Sequence, residues 1–106
     1  MAQFAYLIAE MKAVPELRAD GSQGTMLDNS VVAILNSGSD GAGHSVTNLP
    51  WVIAGSCGGY FQTGRYLAYD DAPHNQLLCS FGNAMGVPMD HFGDPNYSGE
   101  LPGLRA

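Results

Sequence analysis

Two short apolar segments, separated by a loop rich in glycine and serine, constrain the fold of this chain more than any other feature. The segments are "SVVAIL" at residues 30–35 and "LPWVIAG" at residues 49–55. Neither carries a charge or alternates between apolar and polar positions, which is typical of strands buried on both faces. Pro50 stands at the entry of the second segment, where a missing N–H costs a strand least. The sequence therefore predicts two buried strands joined by the loop "NSGSDGAGHSVTN".

A helix is predicted ahead of the two strands. Phe4, Leu7, Ile8 and Met11 fall at helical spacing and form one apolar stripe. Pro15 marks the end of this helix, because the residue before a proline avoids the helical conformation. Residues 18–30, "RADGSQGTMLDNS", are then predicted to form a polar loop.

A second helix is predicted within residues 70–86, after an irregular arm or hairpin at residues 60–69. Asp70 and Asp71 are expected to cap its start, and Pro73 suits its first turn. Gly86 is expected to stop it. Its predicted apolar face consists of Leu77, Leu78, Phe81 and Met85.

The order helix, strand, loop, strand, arm, helix predicts a small layered α/β domain with an irregular tail at residues 89–106. A sheet with so few strands and two buried faces lacks partners. Two interpretations stay open. The 106 residues are either a single domain that forms a homo-oligomer or the C-terminal fragment of a larger α/β domain whose upstream part supplies the missing strands.

The charge balance narrows the classes of partner. The formal net charge is −6, and only Lys12, Arg18, Arg65 and Arg105 are positive. Clustered cations are needed to bind phosphate backbones and anionic lipid, so we expect no nucleic-acid or membrane surface. No apolar stretch approaches the roughly 20 residues of a membrane span. Two cysteines, at positions 57 and 79, are predicted to be separate, small buried side chains.

The loop between the predicted strands carries the candidate site. Ligands of open α/β sheets bind beyond the carboxyl ends of strands, which is where Asp40 and His44 lie. A carboxylate and an imidazole can both ligate a metal ion, and Gly41 and Gly43 permit the sharp turns that let them converge. Zinc commonly has at least three protein ligands. The others would come from another chain or from His74, His91, Asp70, Asp71 or Asp94.

The same loop residues also fit a purely structural role. Asp40 can bond its own backbone in an ordinary turn, and His44 can be a polar surface residue. No catalytic nucleophile is indicated, because the chain has no G-x-S-x-G elbow. No phosphate site is predicted either, since "GSCGG" lacks the lysine and hydroxyl residue of a P-loop.

Several segments, taken in order, resemble the C-terminal part of a bacterial family, the domain-of-unknown-function family 1552. They are "FAYLIAEMKAVPE", "GTMLDNSVVAILNSGSDGAGHSVTNLPWVIAG", "GRYLAY", "HNQLLCSFGNAMGVP", "HFGD" and "GELPGL", which together cover nearly the whole chain. That family is similar to an exported family of unknown function and, more distantly, to the alkaline phosphatase and sulfatase superfamily. There a late strand ends in an aspartate–histidine metal motif, followed by a "P-apolar-G" strand and a helix. "SDGAGH", "LPWVIAG" and "APHNQLLCSFGNAMGV" follow that order.

The resemblance implies a metal-dependent, hydrolase-like parent protein. Asp40 and His44 would descend from ligands of zinc, manganese or calcium, and Asn48 would support the loop by hydrogen bonds. In such a parent, divalent ions activate a nucleophile and hold charge on a phosphate or sulfate oxygen. The sequence departs from the pattern, since Gly41 follows Asp40 where the superfamily often has histidine. Ala42 stands where the family often has asparagine.

The nucleophile and the earlier metal ligands of such proteins lie far upstream. The 106 residues are therefore expected not to be catalytically competent alone, and their catalytic residues stay unassigned. The resemblance implies export from the cytoplasm, although "MAQFAYLIAEMK" lacks the basic region and cleavage site of a signal peptide. Two functions follow. The chain is part of an exported metal-dependent hydrolase, or it is a small non-catalytic assembly or binding module that completes its sheet by oligomerisation.

Overall fold

A computed structural model of the chain describes residues 1–39, 41–45 and 47–106. Within these residues it contains two α-helices, two separate two-stranded antiparallel sheets and one 3-10 turn. The prediction of a small mixed α/β fold is confirmed at this level. None of the helices in the described ranges is long and apolar enough to cross a membrane. The chain divides into two compact units, Met1–Gly58 and Gly59–Ala106.

The first unit begins with helix α1, Ala2–Ala13, as the apolar stripe predicts. The helix ends two residues before Pro15, where Val14 takes an extended conformation. The stripe is only partly covered. Phe4, Ile8 and Met11 are half-buried, while Leu7 is exposed.

An unpredicted hairpin follows α1. Strand β1, Pro15–Leu17, pairs antiparallel with strand β2, Gln23–Thr25. The turn between them is fixed by Asp20, whose Oδ1 accepts the Ser22 N–H at 2.9 Å and the Ser22 hydroxyl at 2.6 Å. Gly21 supplies the left-handed backbone that the turn requires, with φ of 83°. The prediction of a polar loop over residues 18–30 was therefore wrong for β2.

Strands β3, Val32–Leu35, and β4, Trp51–Ala54, form the second sheet and confirm the two predicted strands. They pair antiparallel with each other, with Val32 opposite Ala54 and Leu35 opposite Trp51. The predicted burial on both faces was wrong. All residues of both strands are half-buried or exposed, because no third strand joins this sheet in the described chain and α1 packs on β2 instead.

Asp28 ties the two hairpins of the first unit together. Its carboxylate accepts the Thr25 N–H at 2.8 Å and a guanidinium N–H of Arg18 at 3.1 Å. Its backbone carbonyl accepts the Gly58 N–H at 2.8 Å and the Ser56 hydroxyl at 2.8 Å. One aspartate therefore links the end of β2 to the chain that leaves β4.

The second unit is built on helix α2, His74–Ala84. The helix starts later than predicted. Pro73 is its N-cap in extended conformation, and Asp71 has a left-handed backbone with φ of 59°, so neither Asp70 nor Asp71 caps it. Its end is as predicted, because Gly86, with φ of 80°, closes a Schellman motif. The N–H groups of Val87 and Gly86 donate to the carbonyls of Gly82 and Asn83, at 2.9 and 3.1 Å.

A small apolar core lies in the second unit. The four buried apolar side chains of the described residues all belong to it, namely Phe61, Leu77, Cys79 and Leu104. Buried Ser80 is fully bonded, since its hydroxyl accepts the Leu101 N–H at 2.9 Å and donates to the Gln76 carbonyl at 3.0 Å. Met85, predicted to line the apolar face of α2, is instead 67% exposed.

The tail at residues 89–106 is irregular apart from the 3-10 turn Pro95–Tyr97 and two isolated bridges. It is nonetheless part of the core, because it contributes Leu104. One bridge joins Phe61 to Arg105 in antiparallel fashion, and the Gln62 N–H donates to the Leu104 carbonyl at 3.0 Å. The arm at residues 60–69 and the tail therefore lie side by side.

Candidate functional site

The predicted site lies in the connection between β3 and β4. Residues 36–50 leave β3 at Leu35 and return to β4 at Trp51, which are opposite each other in the sheet register. The loop is therefore the long end of an antiparallel hairpin, whereas the prediction placed it at the carboxyl edge of an open α/β sheet. The two ends of the loop are therefore held next to each other by the sheet.

A backbone hydrogen bond connects the two halves of the loop. The Ser39 N–H donates to the Ser45 carbonyl at 2.9 Å, and the hydroxyls of Ser45 and Thr47 lie 2.9 Å apart. A Cβ added at Gly38 would meet the Ser45 carbonyl at 3.4 Å, so glycine suits this close approach. The chain at Ser39 is therefore held close to the chain at Ser45.

His44 is exposed and directly precedes Ser45. Its backbone is left-handed, with φ of 51°, and so is that of Asn48, with φ of 53°. Such backbones are uncommon outside glycine and are found at turns and functional sites. Asn48 therefore shapes the loop through its backbone, and the support expected from its side-chain hydrogen bonds stays a prediction.

An open depression of about 560 Å³ lies in the loop, lined by residues 36–39, Gly41, His44 and Ser45. Its described lining offers three serine hydroxyls, one amide and one imidazole. No lysine or arginine is among its described lining residues, so no cationic side chain there would attract an anion. Gly41 lies in a turn, and a Cβ added there would meet no described atom within 4 Å.

The predicted metal ligands are only partly placed. Asp40 lies outside the described residues, and His44 is the one candidate ligand on the described lining of the depression. Nowhere in the described ranges do three or more histidine, cysteine, aspartate or glutamate side chains come together as a metal-binding group. This applies to the further candidates as well, namely His74, His91, Asp70, Asp71 and Asp94. The described donors alone do not form a metal site.

Neither cysteine is arranged as a nucleophile. Cys79 is fully buried, and burial raises the pKa of its thiol. Cys57 is half-buried at the end of the first unit, and burial also raises the pKa of its thiol. Because the thiolate is the reactive form, a raised pKa makes both side chains less reactive at neutral pH.

Sequence reasoning missed a polar cluster in the second unit that joins the arm to the tail. The Tyr60 hydroxyl donates to both carboxylate oxygens of Glu100, at 2.8 and 2.9 Å. The guanidinium of Arg105 lies 4.6 Å from the Tyr60 ring centroid and 3.8 Å from Glu100 Oε2. Burial and the nearby carboxylate raise the pKa of Tyr60. The cluster fixes the tail in place, and no local sequence pattern indicates it.

A comparison of the chain with known protein families, with curated proteins and with solved structures finds no match.

Proposed function

We propose that the chain is a non-catalytic assembly module that completes its β3–β4 sheet by joining a second copy of itself. One observation carries the proposal, which is that both faces of this sheet are apolar and each leaves one apolar side chain exposed. Residues directly opposite in an antiparallel pair share a face. The register therefore places Ile34 and Val52 on one face and Leu35 and Trp51 on the other.

The exposure of these strands supports association. Val52 is 44% exposed on one face, and Leu35 is 47% exposed on the other. Burying apolar side chains lowers the free energy by about 25 cal/mol for each Å² of surface that is removed from water. A sheet with apolar residues on both faces is typical of the interior of a layered protein. Covering it requires protein surface beyond the first unit.

The edges of the sheet are open to pairing. Each of its two strands has one neighbouring strand in the described chain, so no strand pairs with the opposite side of either one there. Natural edge strands are commonly guarded by lysine, proline or an inward charge. Residues 32–35 and 51–54 contain none of these.

The charge distribution favours a second copy as the partner. The chain carries a net charge of −6, yet Asp40 is the sole formally charged residue at positions 29–64. Two such hairpins can therefore approach each other with little like-charge repulsion. Antiparallel pairing of one strand with its own copy also satisfies two-fold symmetry, the commonest symmetry of soluble oligomers.

The test is the molar mass of the purified chain by light scattering across a wide range of concentration. We expect a dimer or larger assembly that dissociates on dilution. Val52→Lys and Leu35→Lys place a charge on each face and should weaken association at least about tenfold. Val87→Lys is the matched control, because Val87 is 56% exposed in the second unit and outside the sheet. A wild-type chain that is monomeric at every concentration would contradict the proposal.

A second candidate function is that of a segment of an exported, metal-dependent hydrolase of the alkaline phosphatase-like type. It is supported by the position of His44, which lines a polar depression and follows Asp40 by four residues in the sequence. Asp40 and His44 would then be two ligands of zinc, manganese or calcium, with the rest supplied by other protein segments.

Elemental analysis of the purified chain tests this second candidate. Near-stoichiometric metal that is lost in both Asp40→Ala and His44→Ala would support it. Glu16→Ala is the control, since Glu16 is an exposed carboxylate outside the loop and is not one of the candidate ligands. A wild-type chain without metal would leave the loop as a turn and would favour the assembly module.

A further inference from the structure

The two units of the chain differ in how many apolar side chains each one buries. The second unit buries Phe61, Leu77, Cys79 and Leu104, each with at most 5% of its surface exposed. No apolar side chain of the described residues in Met1–Gly58 is buried to this degree. Because apolar burial is the dominant favourable term in folding, we expect the second unit to be more stable than the first.

The second unit also protects its hydrogen bonds. The Phe61 ring packs edge to face on Tyr60 and Phe81, with ring centroids 5.3 and 5.8 Å apart. The backbone N–H of Leu101 is bonded to buried Ser80 and to the Gln76 carbonyl. Bonds in such surroundings are shielded from water, so breaking them requires the unit to open.

Three side-chain contacts of the first unit are exposed to water. The ion pair between Arg18 and Asp28 has side chains that are 46% and 36% exposed. The Asn29 amide bond to the Leu17 carbonyl is exposed, and so is the Ser30 hydroxyl bond to the Met26 carbonyl. Exposed pairs of this kind contribute little to stability, since water competes for each group.

We infer that Met1–Gly58 is an order-on-association switch. This unit unfolds while Gly59–Ala106 stays folded, and it folds when a second copy covers the β3–β4 sheet. Folding on association rests on the proposed assembly function. The segment that carries the association surface is also the segment without a core of its own. Covering that surface therefore supplies the apolar burial that the first unit lacks, so binding and ordering occur together.

Hydrogen exchange of the full chain, followed by mass spectrometry, tests the switch. In a dilute sample we expect the amides of residues 32–35 and 51–54 to exchange at least about 100-fold faster than those of residues 77–84. In a sample concentrated enough to associate, exchange in β3 and β4 should slow at least about tenfold. Comparable protection of the two units in the dilute sample would overturn the inference.

Two variants separate failure of the switch from failure of the assembly. Val52→Lys should keep fast exchange in β3 and β4 at high concentration, whereas Val87→Lys should follow the wild type. Light scattering on the same samples reports association by itself, so an unchanged molar mass identifies a failure of the assembly proposal. Association without any slowing of exchange in residues 32–35 and 51–54 would overturn the coupling between ordering and binding.

Discussion

The side-chain amide of Asn83 forms hydrogen bonds with both the backbone N–H and the backbone carbonyl of Met89. Asn83 Nδ2 donates to the Met89 carbonyl at 3.1 Å, and Asn83 Oδ1 accepts the Met89 N–H at 2.9 Å. The pair imitates the bonding of two adjacent strands. It also lies just beyond the Schellman motif at Gly86, so it holds the chain as it turns away from α2.

Replacing Asn83 with alanine should destabilise the second unit. The substitution removes both bonds and leaves the part-buried N–H and carbonyl of Met89 without these partners, at a cost of about 1–3 kcal/mol. Asn75→Ala is the matched control, because its amide makes a solvent-accessible bond to the Phe92 carbonyl at 2.9 Å. Denaturant unfolding followed by circular dichroism measures both variants. An equal loss of stability in the two would contradict this account of Asn83.

Replacing Gly55 with alanine should abolish the β3–β4 hairpin. Gly55 has φ of 89°, and a Cβ there would lie 2.2 Å from the Ser30 carbonyl oxygen and 2.8 Å from that of Leu27. Both obstacles are backbone atoms, so no side chain can move aside. At concentrations where the wild type associates, we expect the variant to keep fast hydrogen exchange in residues 32–35 and 51–54.

Gly58→Ala is the control for Gly55→Ala. Gly58 also has a positive φ, of 72°, but nothing lies within 4 Å of its added Cβ. Its substitution should cost only the left-handed backbone strain of about 1–2 kcal/mol. If the two variants lost the hairpin to the same degree, strain at positive φ would account for the effect and the backbone overlap would not.

The parts of the fold that were predicted are those with a local cause. The α1 stripe and the two apolar strands follow from periodicity and composition over short windows. The end of α2 follows from one glycine at the correct place. The start of α2 was missed because the left-handed backbone of Asp71 and the extended Pro73 delay the helix, although Asp70 and Asp71 suit an N-cap by type.

The hairpin of β1 and β2 was missed because its stabilising contacts are not local to its strands. The strands "PEL" and "QGT" have three residues each and no apolar alternation. Asp28 holds the end of β2 through the Thr25 N–H and through Arg18, which precedes it by ten residues. Such contacts depend on the fold itself and leave no period in the sequence.

The burial of β3 and β4 was predicted wrongly for a different reason. Their composition matches strands covered on both faces, whereas this chain leaves Leu35 and Val52 exposed. An apolar composition indicates that a strand suits burial, but it does not indicate which surface would bury it. The position of the candidate loop was predicted for the same local reasons as its strands. Convergence of distant ligands could not be predicted, because it depends on long-range packing.

The cluster of Tyr60 and Glu100 predicts an unusual tyrosine titration. Burial is the larger cause of the raised pKa of Tyr60, and the Glu100 carboxylate adds to it. Glu100→Gln removes the charge but leaves the burial, so the pKa of Tyr60 should fall only part of the way toward 10.0. Absorbance titration of tyrosinate should show one late step that Tyr60→Phe removes. Tyr66→Phe, at a side chain that is 90% exposed, should leave that step in place.

Asp28 predicts that the first unit loosens in acid. The Thr25 N–H, as the largest favourable cause, and Arg18 lower the pKa of its carboxyl below 3.8. Because the folded pKa is depressed, the stabilising contribution is complete above the unfolded value and is lost as pH falls through the folded one. The NMR chemical shift of the Thr25 amide, measured in the associated chain, should therefore titrate with a midpoint below pH 3.8. Asp28→Asn should remove this step and Asp20→Asn should keep it, while a midpoint at or above 3.8 in the wild type would contradict the bond to Thr25.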